Sequence, residues 1–217
     1  TQMVLNLVEP QSSGIGGGAF VVTFDARARE VATYDGRETA PAGATPDLFL
    51  DAKGKPLPFG KAQIGGRAVG TPGVLRALEL AHRERGRLPW AALFEPAIRL
   101  AEEGFALSPR LHVALAAANP ALRGDPSAGA YFYQADGSPR PVGTLLRNPE
   151  LAATLRAVAA GGADAFHHGP IAHDIVDRHG GDVLEGGDPR DAAPRVRTGL
   201  CGRRGRLRGH AGRADPA

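Results

Sequence analysis

The chain has 217 residues, is 42% hydrophobic and carries a formal net charge of +3. This length is enough for one domain with a sizeable core, and the single cysteine, Cys201, excludes an intrachain disulfide and a cysteine-based metal cluster. No run of about 18 apolar residues is present, so the sequence predicts no membrane-spanning helix.

The first elements in chain order are a helix end, a glycine-rich loop and a hairpin. Residues 1–8 are an apolar run that predicts the end of a helix, and Pro10 terminates it. Residues 9–20 read EPQSSGIGGGAF, with four glycines within five residues. Such density costs conformational entropy unless the backbone adopts positive φ or approaches another segment closely. The alternating residues that follow predict a β-hairpin over residues 19–35.

A glycine-rich loop also suggests a phosphate-binding loop. Dinucleotide and P-loop motifs place their glycines after a strand and before a helix, whose N-terminus holds the phosphate. Here the glycines precede a hairpin, and no Lys-Ser or Lys-Thr pair follows them. The order argues against a nucleotide site and predicts a loop that packs backbone against backbone.

The middle of the chain is predicted to be mostly helical. Expected helices run from a Thr71 cap and Pro72 to Gly86, from about Trp90 to Glu103, from Ser108 to about Ala118, from Asn148 to Gly161 and from Pro170 to about Arg178. We expect Trp90 to pack in the core or at an interface. Residues 121–147 are expected to be irregular, with a short strand at 131–133.

His167, His168 and His173 are close enough in sequence to suggest a metal site. However, Gly169 and Pro170 interrupt any helix that would bring their side chains together, and no carboxylate stands at HExxH spacing. We therefore predict solvated histidines at helix ends and no metal site.

Several stretches share one order with a known family. They read EPQSSGIGGGAF (9–20), DGRETAP (35–41), GTPG (70–73), GRLPW (86–90), EPAIRLAEEGF (95–105), SPRL (108–111) and LRNP (146–149). Together they resemble the large-subunit signature of the γ-glutamyltransferases (γ-glutamyl transpeptidases). The resemblance extends from the first residue to about position 178.

The resemblance implies an α+β fold, the N-terminal nucleophile (Ntn) hydrolase αββα sandwich, of which this large-subunit part is incomplete. Family members are zymogens that cleave themselves into a large and a small subunit. The new N-terminal threonine of the small subunit is the nucleophile, and its own amine helps as base. The γ-glutamyl group of glutathione or a similar compound then passes to an amino acid, a peptide or water. The resemblance implies no cofactor. Relatives are often periplasmic, secreted or on the cell surface, but the sequence itself indicates no compartment.

Arg37 is the residue of this chain best suited to that chemistry. A γ-glutamyl group carries a free α-carboxylate, and a guanidinium is a planar fork that binds a carboxylate bidentately. The resemblance implies the same role, since Arg37 stands at the family's carboxylate-binding position within DGRETAP. The alternative interpretation is a surface ion pair with Asp35 or Glu38.

We expect no catalytic residue in this chain. Thr1 precedes an apolar run that the family places inside a helix, so it does not match the nucleophile. Ser12 and Ser13 have no GxSxG elbow and no histidine placed to activate them, and they fit turn and capping roles. We expect an N-terminally truncated fragment that needs the small subunit of the same precursor to cover its apolar faces and to be active.

From residue 179 the chain is rich in Gly, Arg, Asp, Pro and Ala. Such a segment buries too little apolar surface to offset its ordering entropy, and it lacks the aromatic residues that stack on RNA bases, so no nucleic-acid partner is expected. We predict two regions, a large-subunit-like region over 1–178 and a tail over 179–217 that is disordered or the product of a frameshift in a GC-rich coding sequence.

Other functions remain open at this point. A cephalosporin (glutaryl) acylase-like enzyme would share the scaffold and accept a side chain without the α-amino group, although the complete DGRETAP run favours γ-glutamyl substrates. A non-catalytic remnant or a structural subunit is the alternative from another class. A basic nucleic-acid-binding protein would depend on the tail alone.

Overall fold

The computed structural model describes residues 1–41 and 43–179, so the predicted tail from residue 180 onward lies outside the described residues. The elements are α1 (Gln2–Val8), β1 (Ala19–Asp25), β2 (Glu30–Gly36), α2 (Phe59–Ala62), α3 (Val74–Arg85), α4 (Glu95–Glu103), β3 (Phe105–Ala106), α5 (Pro109–Ala117), α6 (Pro120–Gly124), α7 (Pro126–Phe132), β4 (Leu145–Leu146), α8 (Pro149–Gly161), α9 (Asp164–His167) and α10 (Pro170–His179). Among these helices, none is long and apolar enough to cross a bilayer.

The predicted hairpin is confirmed. Strands β1 and β2 pair antiparallel with Ala19 opposite Gly36 and Asp25 opposite Glu30. One face of the hairpin packs on α3, where Tyr34 is buried and its hydroxyl donates a hydrogen bond of 2.8 Å to a carboxylate oxygen of Glu84. This contact places the hairpin and α3 side by side, with the glycine-rich loop at one end of both.

The opposite face of the hairpin is apolar and exposed. Because β-strand side chains alternate between faces, four apolar residues share this side: Phe20, Val22, Phe24 and Val31. We call these four residues the hairpin apolar face. Phe20 and Phe24, on either side of Val22, are each 65% exposed, and together these residues form a contiguous exposed apolar surface.

The core lies among the helices that follow the hairpin. Helix α4 packs against α8 and α1, and Ala97 and Ala101 are fully buried at its contact side. Small residues let the helix axes approach closely, and Leu155 and Val158 of α8 are buried opposite them. Gly104, which ends α4, has φ of 99°, a conformation that glycine adopts readily at a helix C-terminus.

Trp90 joins three of these helices, which confirms its predicted packing role. Its ring contacts His82 and Phe94 edge to face, with centroid distances of 5.3 and 5.0 Å. Its Nε1 donates a 3.0 Å hydrogen bond to the Val158 carbonyl of α8. The indole therefore links the end of α3, the start of α4 and the last turn of α8.

Two predicted helix starts are confirmed by their caps, and two predictions are wrong. Ser108 and Asn148 accept hydrogen bonds from backbone N–H groups at the starts of α5 and α8. Thr71 does not cap α3, which begins at Val74 with Gly73 before it. The predicted helix from Trp90 to Glu103 is a 3₁₀ turn at Ala91–Leu93 followed by α4.

The prediction that residues 121–147 are irregular is wrong for residues 121–132, and in place of the expected short strand at 131–133 only Tyr133 forms an isolated bridge, with Pro139. Two short helices, α6 and α7, occupy 120–132, and each begins at a proline after a capping side chain. Asn119 accepts from the Ala121 N–H and Asp125 from the Ala128 N–H. Local capping therefore overrides the β preference of the aromatic residues near 131–133.

Candidate functional site

The glycine-rich loop contacts the start of α3 through its backbone. The Gly17 carbonyl accepts two hydrogen bonds of 3.1 Å, from the N–H groups of Gly73 and Val74. These N–H groups would otherwise lack partners at the helix start. No glycine from 14 to 18 has positive φ. The loop's glycines are therefore explained by close approach, as the sequence predicted.

The same close approach continues into the end of β2. A Cβ atom at Gly18 would lie 2.5 Å from Glu38 Oε2 and 2.7 Å from the Gly36 carbonyl oxygen. A Cβ atom at Gly73 would lie 2.5 Å from the Gly36 carbonyl oxygen. Three backbone segments thus converge where only glycine fits. We call this convergence the glycine junction; its members are Gly17, Gly18, Gly36 and Gly73.

Arg37 leaves the glycine junction directly after β2. Its backbone N–H donates a 2.9 Å hydrogen bond to Asp35 Oδ1, which fixes the turn out of the strand. Its side chain is 69% exposed, and its Nη1 lies 3.3 Å from Glu38 Oε2. The guanidinium therefore stands at the surface beside the junction, in an ion pair with Glu38. The role of Arg37 in substrate binding stays a prediction.

Glu38 is a site residue that the sequence indicated only as a possible ion-pair partner of Arg37, and that ion pair is present. Its Oε2 atom is shielded from solvent and accepts no hydrogen bond, and the Arg37 guanidinium is its ion-pair partner. A buried carboxylate oxygen without hydrogen bonds is costly. Gly18 and Gly70 both lie against the Glu38 side chain, and a Cβ atom at Gly70 would be 2.9 Å from Glu38 Cβ. This close packing keeps the side chain in place. The one available sequence signal was its place inside DGRETAP.

A long excursion begins and ends next to these residues. Thr39 and Thr71 form an isolated antiparallel bridge, with N–H to carbonyl distances of 3.3 and 2.8 Å. The bridge closes residues 40–70 into a loop and ties its two ends beside Glu38 and Gly70. Thr71 serves this bridge, which explains why it does not cap α3.

The serines before the glycines take part in local packing. The Ser13 hydroxyl accepts a 2.7 Å hydrogen bond from Gln2 Nε2 and donates a longer one of 3.5 Å to Asn6 Oδ1. Both partners lie on α1, so Ser13 fastens the loop to that helix. Thr1 stands at the start of α1, and its carbonyl accepts from the Leu5 N–H. Ser12 lies in a turn as predicted, with its N–H donating to the Glu9 carbonyl, whereas Ser13 makes these contacts with α1 and has no turn or capping role.

The prediction of solvated histidines at 167, 168 and 173 is correct for two of them and wrong for the first. His168 and His173 are exposed, whereas His167 is 2% exposed and its Nε2 has no hydrogen-bond partner. Burial lowers the pKa of His167 to about 4, and the nearby Arg76 acts in the same direction. Among the described residues, no group of His, Cys, Asp and Glu is arranged to hold a metal.

Charged side chains of α3 and α9 lie next to the buried ring of His167. Arg76 forms an ion pair of 2.5 Å with Asp164, the first residue of α9, and holds the pKa of that carboxyl below its usual range. Glu79 accepts a 2.9 Å hydrogen bond from the Ala163 N–H. Helix α9 is therefore tied to α3 by two polar contacts, while His167 turns into the core beneath them.

Comparison with solved structures gives the class of fold. The chain is similar to the γ-glutamyltranspeptidase of Helicobacter pylori with a TM-score of 0.79 and 32% identity, over 88% of this chain and 54% of that one. It is also similar to the cephalosporin acylase of Bacillus halodurans with a TM-score of 0.72 and 30% identity, over 88% and 36% of the two chains. The fold is therefore that of the Ntn hydrolases, with α+β architecture.

Sequence comparison narrows the class to one family. The family model described as gamma-glutamyltranspeptidase matches residues 1–206, and the chain belongs to that family. It is 38% identical over 187 residues to the glutathione hydrolase proenzyme of Bacillus subtilis (strain 168), covering 85% of this chain and 32% of that protein. It is 40% identical over 174 residues to glutathione hydrolase 2 of Arabidopsis thaliana, covering 80% and 29%. The chain thus spans about a third of the length of these relatives.

Proposed function

We propose that this chain provides the donor-binding part of a γ-glutamyltransferase that acts on glutathione and other γ-glutamyl compounds. The observation that carries the proposal is the position of Arg37, exposed at the glycine junction with one ion pair, to Glu38. A guanidinium has five N–H donors, so an α-carboxylate can bind while Glu38 keeps its contact. Glu38 then orients the guanidinium toward the donor.

The proposed reaction divides the work between two subunits. The N-terminal threonine of the small subunit attacks the γ-carbonyl of the donor, its amine takes the hydroxyl proton, and that proton goes to the leaving amine. Water or an acceptor amine then releases the γ-glutamyl group from the ester. Arg37 contributes by holding the α-carboxylate, because a fixed donor keeps the γ-carbonyl in reach of the nucleophile.

The hairpin apolar face is the proposed contact surface for that small subunit. A two-stranded hairpin is marginally stable alone, and α3 covers one of its faces while Phe20 and Phe24 are exposed on the other. In an αββα sandwich a second sheet packs on such a face about 10 Å away. The partner subunit would thus complete the layer that this chain begins.

The test is to replace Arg37 in the complete precursor and to measure release from a γ-glutamyl anilide. We expect Arg37→Gln to raise KM about tenfold to a hundredfold, because a charge-assisted contact contributes about 1.5 to 3 kcal/mol. Arg37→Lys keeps the charge and loses the fork, so it should fall between wild type and Gln. Arg27→Gln, on the exposed hairpin turn, is the matched control. An unchanged KM in Arg37→Gln would remove the proposed donor site.

The 217-residue chain alone is expected to release no product from the same anilide. The proposed nucleophile belongs to the small subunit, and donor binding by itself leaves the amide intact. Release at a rate above that of buffer would contradict the division of work between the two subunits. Release by the chain together with its small subunit would support it.

A glutaryl acylase is the second candidate, favoured by the structural similarity to the cephalosporin acylase of Bacillus halodurans. A glutaryl group has the same free carboxylate as a γ-glutamyl group and lacks only the α-amino group, so Arg37 can bind either donor. We expect the complete protein to prefer γ-glutamyl donors through groups that contact the α-amino group, and Arg37→Gln should raise KM for both donors. A higher kcat/KM on a glutaryl donor would favour the acylase.

A further inference from the structure

Residues 49–64 form a small protruding unit within the loop closed by Thr39 and Thr71. Leu50 pairs with Pro56, and the Leu57 N–H donates a 2.8 Å hydrogen bond to the Phe49 carbonyl. Gly54 turns the chain with φ of 72°. We call residues 49–64 the basic excursion, for the charges described next.

The basic excursion contains every lysine of the chain: Lys53, Lys55 and Lys61. All three are exposed, and none forms an ion pair within the described part of the chain. The one acidic residue of the excursion is Asp51, whose Oδ1 accepts hydrogen bonds from the N–H groups of Lys53 and Lys55. Asp47 lies just before the excursion, and no further Asp or Glu occurs between Asp51 and Glu79. With three lysines against one acidic residue, the excursion is a net positive patch.

Apolar side chains are exposed among these lysines. Phe59 is 76% exposed, more than any other large apolar residue in the described part of the chain, and Phe49 and Ile64 are exposed as well. Phe59 lies two residues before Lys61 on α2, and Phe49 is joined to the same unit through Leu57. Exposed aromatic residues with lysines around them are typical of segments that lie in the interface of an anionic bilayer.

Two features distinguish the basic excursion from a subunit contact. The hairpin apolar face carries no lysine, while every exposed apolar residue of the excursion has a lysine near it in sequence. Lysine is depleted in protein–protein interfaces, whereas lysines near an anionic bilayer are attracted to its surface. We propose that the basic excursion binds the surface of anionic phospholipid membranes, with Phe59 entering the interface and the three lysines contacting the headgroups.

The experiment is sedimentation of the 217-residue chain with vesicles of phosphatidylcholine alone or mixed with phosphatidylglycerol. We expect binding to the mixed vesicles that weakens as salt is raised. The variant K53Q/K55Q/K61Q should lose about a hundredfold in affinity, because each lysine near an anionic surface contributes about fivefold. Phe59→Ser should weaken binding at every salt concentration, since its contribution is apolar.

Two further variants test whether another surface of the chain binds the vesicles. R27Q/R87Q/R99Q removes three exposed arginines elsewhere and should bind nearly as wild type does. F20S/F24S alters the hairpin apolar face and should also retain binding. Failure of the wild-type chain to sediment with the mixed vesicles would overturn the proposal. Equal binding by wild type and K53Q/K55Q/K61Q would overturn it too, because the lipid contact would then belong to another segment.

Discussion

His167 and Arg37 show how differently one molecule can treat two basic side chains. His167 is enclosed by α9 and its neighbours with a ring nitrogen that has no partner, while Arg37 is largely exposed and ion-paired. The first arrangement favours the neutral ring, because burial penalises charge. The second leaves the charge intact and accessible, which is what recognition of an anion requires.

His167 should make the free energy of unfolding depend on pH. Its pKa is about 4 in the folded chain and 6.5 in the unfolded chain, so the unfolded state binds more protons as the pH falls from about 6.5 to about 4. We expect the free energy of unfolding to decrease over that range by at most about 3 kcal/mol. Denaturant titrations at several pH values measure the change. His167→Phe should flatten this part of the profile.

The control variant for this prediction is chosen from the charged groups around His167. Arg76, His168 and Asp164 also influence its pKa, and Asp164 opposes the other two. His168→Gln removes an exposed ionisable ring next to it, and the acid dependence should remain in that variant. If His167→Phe and the wild type lost the same stability as the pH falls, the acid dependence would come from carboxyl groups and not from His167.

Among the elements, α3 depends on a residue far away in the chain. Its first N–H groups donate to the Gly17 carbonyl, and its start packs on the end of β2 through Gly36 and Gly73. The glycine junction is therefore a joint between a loop, a strand and a helix. Any side chain added there would separate all three.

Gly73→Ala should test this joint. The new Cβ would lie 2.5 Å from the Gly36 carbonyl oxygen, and crowding against backbone destabilises by about 1 to 3 kcal/mol or more. Gly16→Ala is the matched control, since a Cβ there has no atom within 4 Å. Thermal unfolding followed by circular dichroism should show a clear loss for Gly73→Ala and little change for Gly16→Ala. Equal effects would mean that the junction tolerates a side chain.

Elements with local signals could be predicted from the sequence, and elements set by distant contacts could not. The hairpin, α5 and α8 follow from alternation or from a cap next to a proline. The start of α3 was misplaced because its cap comes from Gly17 rather than from Thr71. The aromatic residues near 131–133 concealed the Asp125 cap of α7. The burial of His167 depends on how a four-residue helix packs, which no local pattern encodes.

For the candidate site, the sequence identified the important residues more reliably than it predicted their contacts. The close approach of the glycine loop and the place of Arg37 within DGRETAP follow from composition and resemblance. The enclosed oxygen of Glu38 does not, because it depends on where Gly18 and Gly70 lie relative to that side chain. Spacing along the chain gives no measure of such a distance.

At the scale of the whole molecule, apolar side chains are enclosed on one side of the described residues and exposed on the other. Helices α1, α4 and α8 enclose a continuous core, whereas the hairpin apolar face has no cover within the described residues. Exposed apolar surfaces of this kind favour association. The described part of the chain therefore has the layered order of half a sandwich.

The isolated chain is accordingly expected to self-associate through this face. F20S/F24S should shift it toward the monomer, as measured by size-exclusion chromatography with light scattering, because two large apolar side chains are replaced by hydroxyls. The same variant should fail to assemble with the proposed small subunit. Val113→Ser, at an exposed position of α5 that is 66% accessible, is the control and should change neither property. Association that persists in F20S/F24S would assign it to another surface.

The single tryptophan offers a spectroscopic consequence of this division. Trp90 is hydrogen-bonded to the Val158 carbonyl and contacts the His82 and Phe94 rings edge to face, all within the helical part of the chain. Its fluorescence should report whether that part has formed, independently of whether a second sheet has docked. A native-like emission maximum from the chain without the proposed small subunit would show that the helices around Trp90 pack without a second sheet on the hairpin apolar face.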